Sequence, residues 1–379
     1  MITRFMSGAA ICALLLGSQM GAVQAQSASS PAAANRIRGE DNAESAERIA
    51  QGIRSLNRPS DVASRSANDL AWDCLGVASA LNEGVEVAGP RLKGIADEMA
   101  GRVVKDRQGQ PKGWAASIQD SHCPGGGYDA FNDGTCNDAS TVYAFQSGLG
   151  MACLAIASEA LKEPRYLDTA KQVLRYWERQ TLQPPCGECV YFATSDNPND
   201  RGRYVRNMNV FVGFGALFVG TVGRDAQALK TGRAALQSDV VERRGGNRGY
   251  LGKQDPAFAK KPAQEANRIE NHSAAVAVMA LEGARLTGSD ELHRHALQVW
   301  RDWAKCDDSR CIKADCKYWA GDANLCQATT TASHCAFRQL EPDARQQCTT
   351  LLSKADRIGG YGLYSYFLGR SVAESRPAR

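Results

Sequence analysis

The sequence lacks the short motifs that identify several large classes of enzyme. It has no Gly-x-Ser-x-Gly nucleophile elbow, no phosphate-binding loop, no dinucleotide-binding fingerprint and no His-Glu-x-x-His zinc motif. These absences weigh against serine esterases, kinases, nicotinamide-dependent enzymes and zinc proteases. We therefore expect no cofactor and no catalytic metal.

Concentrated charge and long apolar runs are also scarce. The 45 Lys and Arg residues and 41 Asp and Glu residues are spread along the chain, for a net charge of +4. No basic block of the kind that binds nucleic acid is present. Beyond the N-terminal region, no run approaches the roughly 20 apolar residues of a membrane-spanning helix. We therefore predict neither a nucleic-acid nor a membrane partner. The mild positive charge permits an anionic substrate, and the oligomeric state stays open.

The N-terminal region has the pattern of an export signal. A short basic start precedes the apolar residues 9–16, and Ala22-Val23-Gln24-Ala25 matches a signal-peptidase site. We predict a signal peptide over 1–25, a disordered lead-in over 26–40 and a periplasmic or secreted protein. Cys12 lies within the signal, so 12 of the 13 cysteines remain. In an oxidising compartment these predict disulfides rather than a zinc site.

The mature chain repeats a pair of helices. In each pair a helix that is apolar on most of its circumference precedes an amphipathic one. A helix apolar all round must be buried, whereas one with a single apolar stripe lies outside. The pattern therefore predicts an all-α fold, an α/α toroid built as an incomplete barrel of helical hairpins, in one domain over 41–370 with a tail over 371–379. The predicted pairs are 70–81 with 90–104, 142–161 with 166–179, 209–222 with 225–239, 273–286 with 290–305, and 336–355 with 359–369.

Long loops lead into the inner helices, and they carry nine of the twelve cysteines. Loops of this length in a compact domain are functional or specially anchored, so we expect disulfides to staple them. Cys74 and Cys153 occupy matching positions on neighbouring inner helices and could pair, and Cys348 could reach back to a loop. Connectivity otherwise stays open, and a redox-active pair is the alternative at the Cys-x-x-Cys motif. The cysteines predicted in disulfides are Cys74, Cys123, Cys136, Cys153, Cys186 and Cys189.

Polar residues precede three of the apolar helices, at 137–141, 206–209 and 268–273. In a toroid these helix starts would converge on one cleft. Only one of the five histidines, His272, lies at such a junction, where an imidazole can act as an acid or a base. The alternative is a plain helix start with Asn271 or Ser273 as its N-cap. His293 and His295 lie on an amphipathic outer helix, and we expect them to be solvated.

The other two junctions supply further candidates. Asn207 and Asn209 are either capping residues or, with Arg206, ligands for a carboxylate or a glycosidic oxygen. Tyr204 is a candidate phenolic acid or base, and Tyr250 could line the cleft. Asp138 is either a cap or an inward carboxylate. Together with Asp129 and Asp133 it lies in a glycine-rich run that is typical of turns, with a calcium loop as the alternative.

Glu270-Asn271-His272-Ser273 resembles the Asn-Asn-His-Ser motif of secreted polysaccharide lyases of the α/α-toroid type, particularly alginate lyases. The resemblance is limited to the C-terminal end of the chain, and Glu270 departs from the motif. It implies that Asn271, with Arg206 or Arg268, neutralises a uronate carboxylate while His272 takes part in proton abstraction. It also implies that Arg357 and Tyr364, seven residues apart, serve the same site.

Three hypotheses of function follow. The first is a lyase that cleaves a uronate-containing polysaccharide by β-elimination, with Tyr364 or Tyr204 as the acid. The second is an inverting glycosidase on the same fold, in which Asp138 and Glu270 would be the carboxyl pair, separated by roughly 6.5–9.5 Å. The third is an exported protein that binds a glycan or another protein without catalysis.

Overall fold

The chain forms an α/α toroid, as the helical pairs predict. The structure is a computed structural model that describes residues 65–84, 89–116, 120–131, 134–182, 187–200, 202–245, 272–305, 332–354 and 359–374, with 49, 51–52, 62, 269–270 and 311–312. The helices are α1 (Ala67–Asn82), α2 (Gly89–Gly101), α3 (Ala144–Leu161), α4 (Pro164–Glu178), α5 (Arg206–Gly223), α6 (Ala226–Arg244), α7 (His272–Thr287), α8 (Asp290–Ala304), α9 (Pro342–Lys354) and α10 (Gly360–Glu374).

Five of these helices form an inner ring. They pack in the cyclic order α1, α3, α5, α7, α10 and back to α1. Gly148 of α3 permits one close approach, because a Cβ there would collide with the backbone of Phe211 on α5. Helix α3 is long and apolar enough to cross a membrane by length and composition, but 78% of it is buried in this core.

The last predicted pair differs from the structure. Residues 332–337 are helical, a turn follows, and α9 begins at Pro342. Proline has no N–H to donate and clashes with the preceding helical turn, but it fits the first position of a helix. The single helix predicted over 336–355 is therefore divided at this proline.

Tight turns join three of the inner helices to the outer helix that follows each of them. Lys162 after α3, Arg224 after α5 and Gly288 after α7 adopt the left-handed conformation, with φ of 58°, 51° and 64°. Such a residue commonly ends an α-helix. Since these turns lie at the C-terminal ends of the inner helices, the long loops enter the inner helices at the opposite face.

Short strands in the long loops lie next to the starts of the inner helices. Ala144, the first residue of α3, donates its N–H to the Thr194 carbonyl, and Tyr143 donates to that of Trp114. One strand of a parallel pair, Ile269–Glu270, lies just before α7. The strands pair as β1 (Val104–Lys105) with β2 (Pro111–Gly113), β3 (Thr181–Leu182) with β4 (Tyr191–Phe192), and β5 (Ile269–Glu270) with β6 (Cys311–Ile312).

The described residues include three complete disulfides, one of which joins two inner helices. Cys74 of α1 is bonded to Cys153 of α3, as their matching positions predict. Cys123 is bonded to Cys136, and Cys348 of α9 reaches back to Cys335. Cys189 is also disulfide-bonded, whereas Cys186 lies outside the described residues.

The bond between Cys74 and Cys153 should be the more stabilising of two that can be compared directly. It spans 79 residues, whereas Cys123–Cys136 spans 13. A longer closed loop removes more entropy from the unfolded chain, so we expect Cys74→Ala with Cys153→Ala to lower the free energy of unfolding by about 2–4 kcal/mol. Denaturant unfolding measures this loss. A larger loss in the Cys123→Ala, Cys136→Ala control would contradict the expectation.

Candidate functional site

Aromatic side chains from four inner helices meet near the centre of the ring. The ring centroids of Trp72 and Tyr361 are 4.4 Å apart, those of Phe145 and Phe211 are 4.3 Å apart, and Trp72 lies 6.2 Å from Phe211. Each of the four residues lies in the first two turns of its helix, so the contacts show that these helix starts converge. We call this group the aromatic floor, and the long-loop end of the ring next to it the mouth.

Two asparagines lie one helical turn closer to the mouth than the floor. Asn68 precedes Trp72 by four residues on α1, and Asn207 precedes Phe211 by four on α5. Residues at this spacing lie on the same face of a helix. Within the part of the chain that the structure describes, the Oδ1 atoms of Asn68 and Asn207 are both buried without a hydrogen-bond partner. Buried amides usually have partners, so two unpaired oxygens at the same end of the ring call for an explanation.

His272 lies at the same end of the ring. It is the first residue of α7, which packs against α5 and α10, and its side chain is half-buried. The structure therefore agrees with the prediction that His272 stands where a loop meets an inner helix. Four other predicted site residues, Tyr250, Arg268, Asn271 and Arg357, lie outside the described residues, as does the side chain of Glu270.

Arg206 forms a buried ion pair within the protein, which argues against a role in binding substrate at the mouth. Its Nε lies 2.6 Å from Oδ1 of Asp239 on α6, and both side chains are almost fully buried. The Nε2 of His295 is 2.6 Å from the other oxygen of the same carboxylate, and Arg243 lies 3.6 Å from it. The expectation that His295 is solvated was wrong, because only 8% of its side chain is exposed.

Tyr204 and Asn209 are likewise tied into the protein. The Tyr204 hydroxyl donates to Glu242 Oε1 at 3.1 Å, and the residue is 1% exposed. Asn209 accepts from the Phe192 N–H and donates to two carbonyls and to the Ser238 hydroxyl. These contacts argue against a substrate role for either residue.

Tyr364 lies below the aromatic floor. Its ring is 6.0 Å from that of Trp72 and 6.1 Å from that of Phe214, and the side chain is buried. Burial, with the nearby carboxylate of Glu282, raises the pKa of Tyr364 well above its usual value. Tyr364 lies about one turn farther along α10 from the mouth than Tyr361, which argues against contact with a bound substrate.

Asp138 is exposed, in the loop that leads to α3. Its Oδ1 accepts hydrogen bonds from the hydroxyl and the N–H of Ser140, and these hold the pKa of the carboxyl below its usual value. The carboxylate of Asp129 accepts from the backbone N–H groups of Phe131 and Gly134, which fits the turn interpretation of this run. Asp133 lies outside the described residues.

The sequence prediction did not include Asn68 or the four residues of the floor. The sequence signal for Trp72 and Phe211 is the shared pattern of an asparagine, Asn68 or Asn207, four residues before an aromatic residue at the start of an inner helix, and Phe145 and Tyr361 lack it. Trp72 and Phe211 read as ordinary core residues because core helices are rich in such side chains.

Comparison with known proteins shows similarity of fold. No family model matches the sequence, and no curated protein matches it either. A D-mannose isomerase matches with a TM-score of 0.58 and 9% identity, over 89% of this chain and 99% of that one. A family 76 α-mannanase of Bacteroides thetaiotaomicron matches with 0.55 and 10%, over 90% and 99%. A family 76 mannosidase from Bacteroides thetaiotaomicron VPI-5482 matches with 0.54 and 11%, over 87% and 98%.

Proposed function

We propose that this protein is a carbohydrate-active enzyme that binds a glycan in the mouth and uses His272 as its acid–base group. The observation that carries the proposal is the half-buried imidazole at the end of the ring where the aromatic floor and two unsatisfied amides lie. Ligand sites commonly combine apolar and aromatic walls with a few polar groups that fix orientation. The three neighbours named above all carry mannose or mannan in their names, which supports a sugar as the ligand.

β-Elimination on a uronate is the first reaction that we propose. His272 would take the proton from C5 while Asn271 and Arg268 neutralise the adjacent carboxylate. The C4–O bond then breaks as the C4–C5 double bond forms, and the departing oxygen receives a proton. Because the hydroxyls of Tyr204 and Tyr364 are buried away from the mouth, we assign this second proton transfer to His272 as well.

Hydrolysis by inversion is the second candidate, with the exposed carboxylate of Asp138 as the base that activates water. Its Oδ1 accepts hydrogen bonds from the hydroxyl and the N–H of Ser140, which fix the orientation of the carboxylate. Glu270, just before α7, would then be the acid. Two of the structural neighbours are glycoside hydrolases of one family.

The two reactions leave different products, which gives a direct test. The protein is incubated with polyuronates and with neutral mannans. New ultraviolet absorbance from the unsaturated product indicates elimination, whereas new reducing ends without absorbance indicate hydrolysis. Tight binding of a glycan without either product would favour the non-catalytic alternative and contradict the proposal, as would failure to bind or convert any of the polymers.

A further inference from the structure

Two asparagines on α5 differ sharply in their surroundings. Asn207 and Asn209 are two residues apart and almost equally buried, at 4% and 1% exposed. The amide of Asn209 makes four hydrogen bonds to its own protein, whereas Oδ1 of Asn207 makes none to any residue that the structure describes. Asn209 therefore supports the fold, and Asn207 needs another explanation.

A buried amide oxygen without a partner destabilises the free protein, because the group loses its hydrogen bonds to water and gains none in return. The Oδ1 atom of Asn68, in the first turn of α1, is likewise buried without a partner among the described residues. The two residues stand one turn above Trp72 and Phe211, whose rings are 6.2 Å apart. Two unpaired amide oxygens beside one aromatic floor point to a shared ligand.

The chemistry of an amide limits what that ligand can be. Its oxygen accepts a hydrogen bond and its NH₂ group donates, so one hydroxyl, or two neighbouring ones, can satisfy both. An ionised carboxylate only accepts, and it would leave Oδ1 of each asparagine unpaired. The faces of the aromatic rings suit the apolar face of a sugar ring.

We infer that Asn68 and Asn207 bind the ring hydroxyls of a pyranose that lies on the aromatic floor. This inference rests on the proposed function for the identity of the ligand as a glycan. It assigns the two amides to hydroxyl groups rather than to a uronate carboxylate, and it adds Asn68 to the site.

The test uses Asn68→Leu and Asn207→Leu, with Asn209→Leu as the matched control. Thermal denaturation is measured for each variant, and affinity is measured by calorimetry with a neutral manno-oligosaccharide and with an oligouronate. We expect the first two variants to melt no lower than the unmodified protein while the dissociation constant rises by about tenfold or more, roughly the loss of one good hydrogen bond. We expect Asn209→Leu to melt clearly lower.

The results separate this inference from the proposed function. Unchanged affinity in both Leu variants, in a protein that still converts its glycan, would overturn the inference and leave the function standing. A fall in melting temperature for Asn207→Leu as large as that for Asn209→Leu would also overturn it, because that residue would then be structural. Failure of the unmodified protein to bind either oligosaccharide would overturn both.

Discussion

Replacement of His272 by glutamine should lower turnover of the glycan by about 10²–10⁴-fold, the usual contribution of a positioned acid–base group. Glutamine has nearly the same length as histidine and can still form hydrogen bonds, but its amide cannot carry a proton between substrate and product. Because the aromatic floor and the two asparagines remain, we expect binding to change little. Steady-state kinetics, with binding measured separately by calorimetry, distinguish the two effects.

His122 provides the matched control. It is a histidine with 53% of its side chain exposed, immediately before the loop that Cys123 and Cys136 close. We expect His122→Gln to keep full turnover and the same melting temperature. Turnover within a few-fold of normal in His272→Gln would remove His272 from the mechanism, and equal losses in both variants would indicate a general effect on the protein.

The sequence predicts the fold well because the toroid is a consequence of periodicity. Alternation between helices that are apolar all round and helices with one apolar stripe requires an inner and an outer ring. The disulfide between Cys74 and Cys153 also follows from this periodicity, because neighbouring inner helices repeat the same register. The exceptions lie in the last pair, where Pro342 begins a new helix, α9, and the second member, α10, lies in the inner ring instead of outside it.

The candidate site is harder to predict, because adjacent helical residues point about 100° apart. Arg206 turns toward α6 and pairs with Asp239, whereas its neighbour Asn207 has no such partner. Nothing local distinguishes the two, since the deciding carboxylate lies 33 residues later in the chain. His272 was easier to recognise because it is the only histidine at a junction between a long loop and an inner helix.

Asp239 should be among the most destabilising positions at which to remove a charge. Its carboxylate lies against three basic side chains, at 2.6 Å from Arg206, 2.6 Å from His295 and 3.6 Å from Arg243. Asp239→Asn keeps the shape but leaves these groups buried without their counter-charge, so we expect a loss of about 3–5 kcal/mol in the free energy of unfolding at neutral pH. Asp302→Asn is the control, because Asp302 is more exposed and lies 3.4 Å from Arg243, and we expect a loss of about 1 kcal/mol or less.

The pH dependence of stability provides an independent check on the same carboxylate. Burial alone would raise the pKa of Asp239, but the charge of Arg206 and the hydrogen bond from His295 outweigh it and hold the pKa far below its usual value. The unfolded chain therefore takes up the proton first as the pH falls below about 4, and the stability contributed by Asp239 is lost from there downward. The difference between the unmodified protein and Asp239→Asn should be largest at neutral pH and shrink toward pH ~3. A difference that stays constant over this range would show that the carboxylate charge is not what stabilises the contact between α5, α6 and α8.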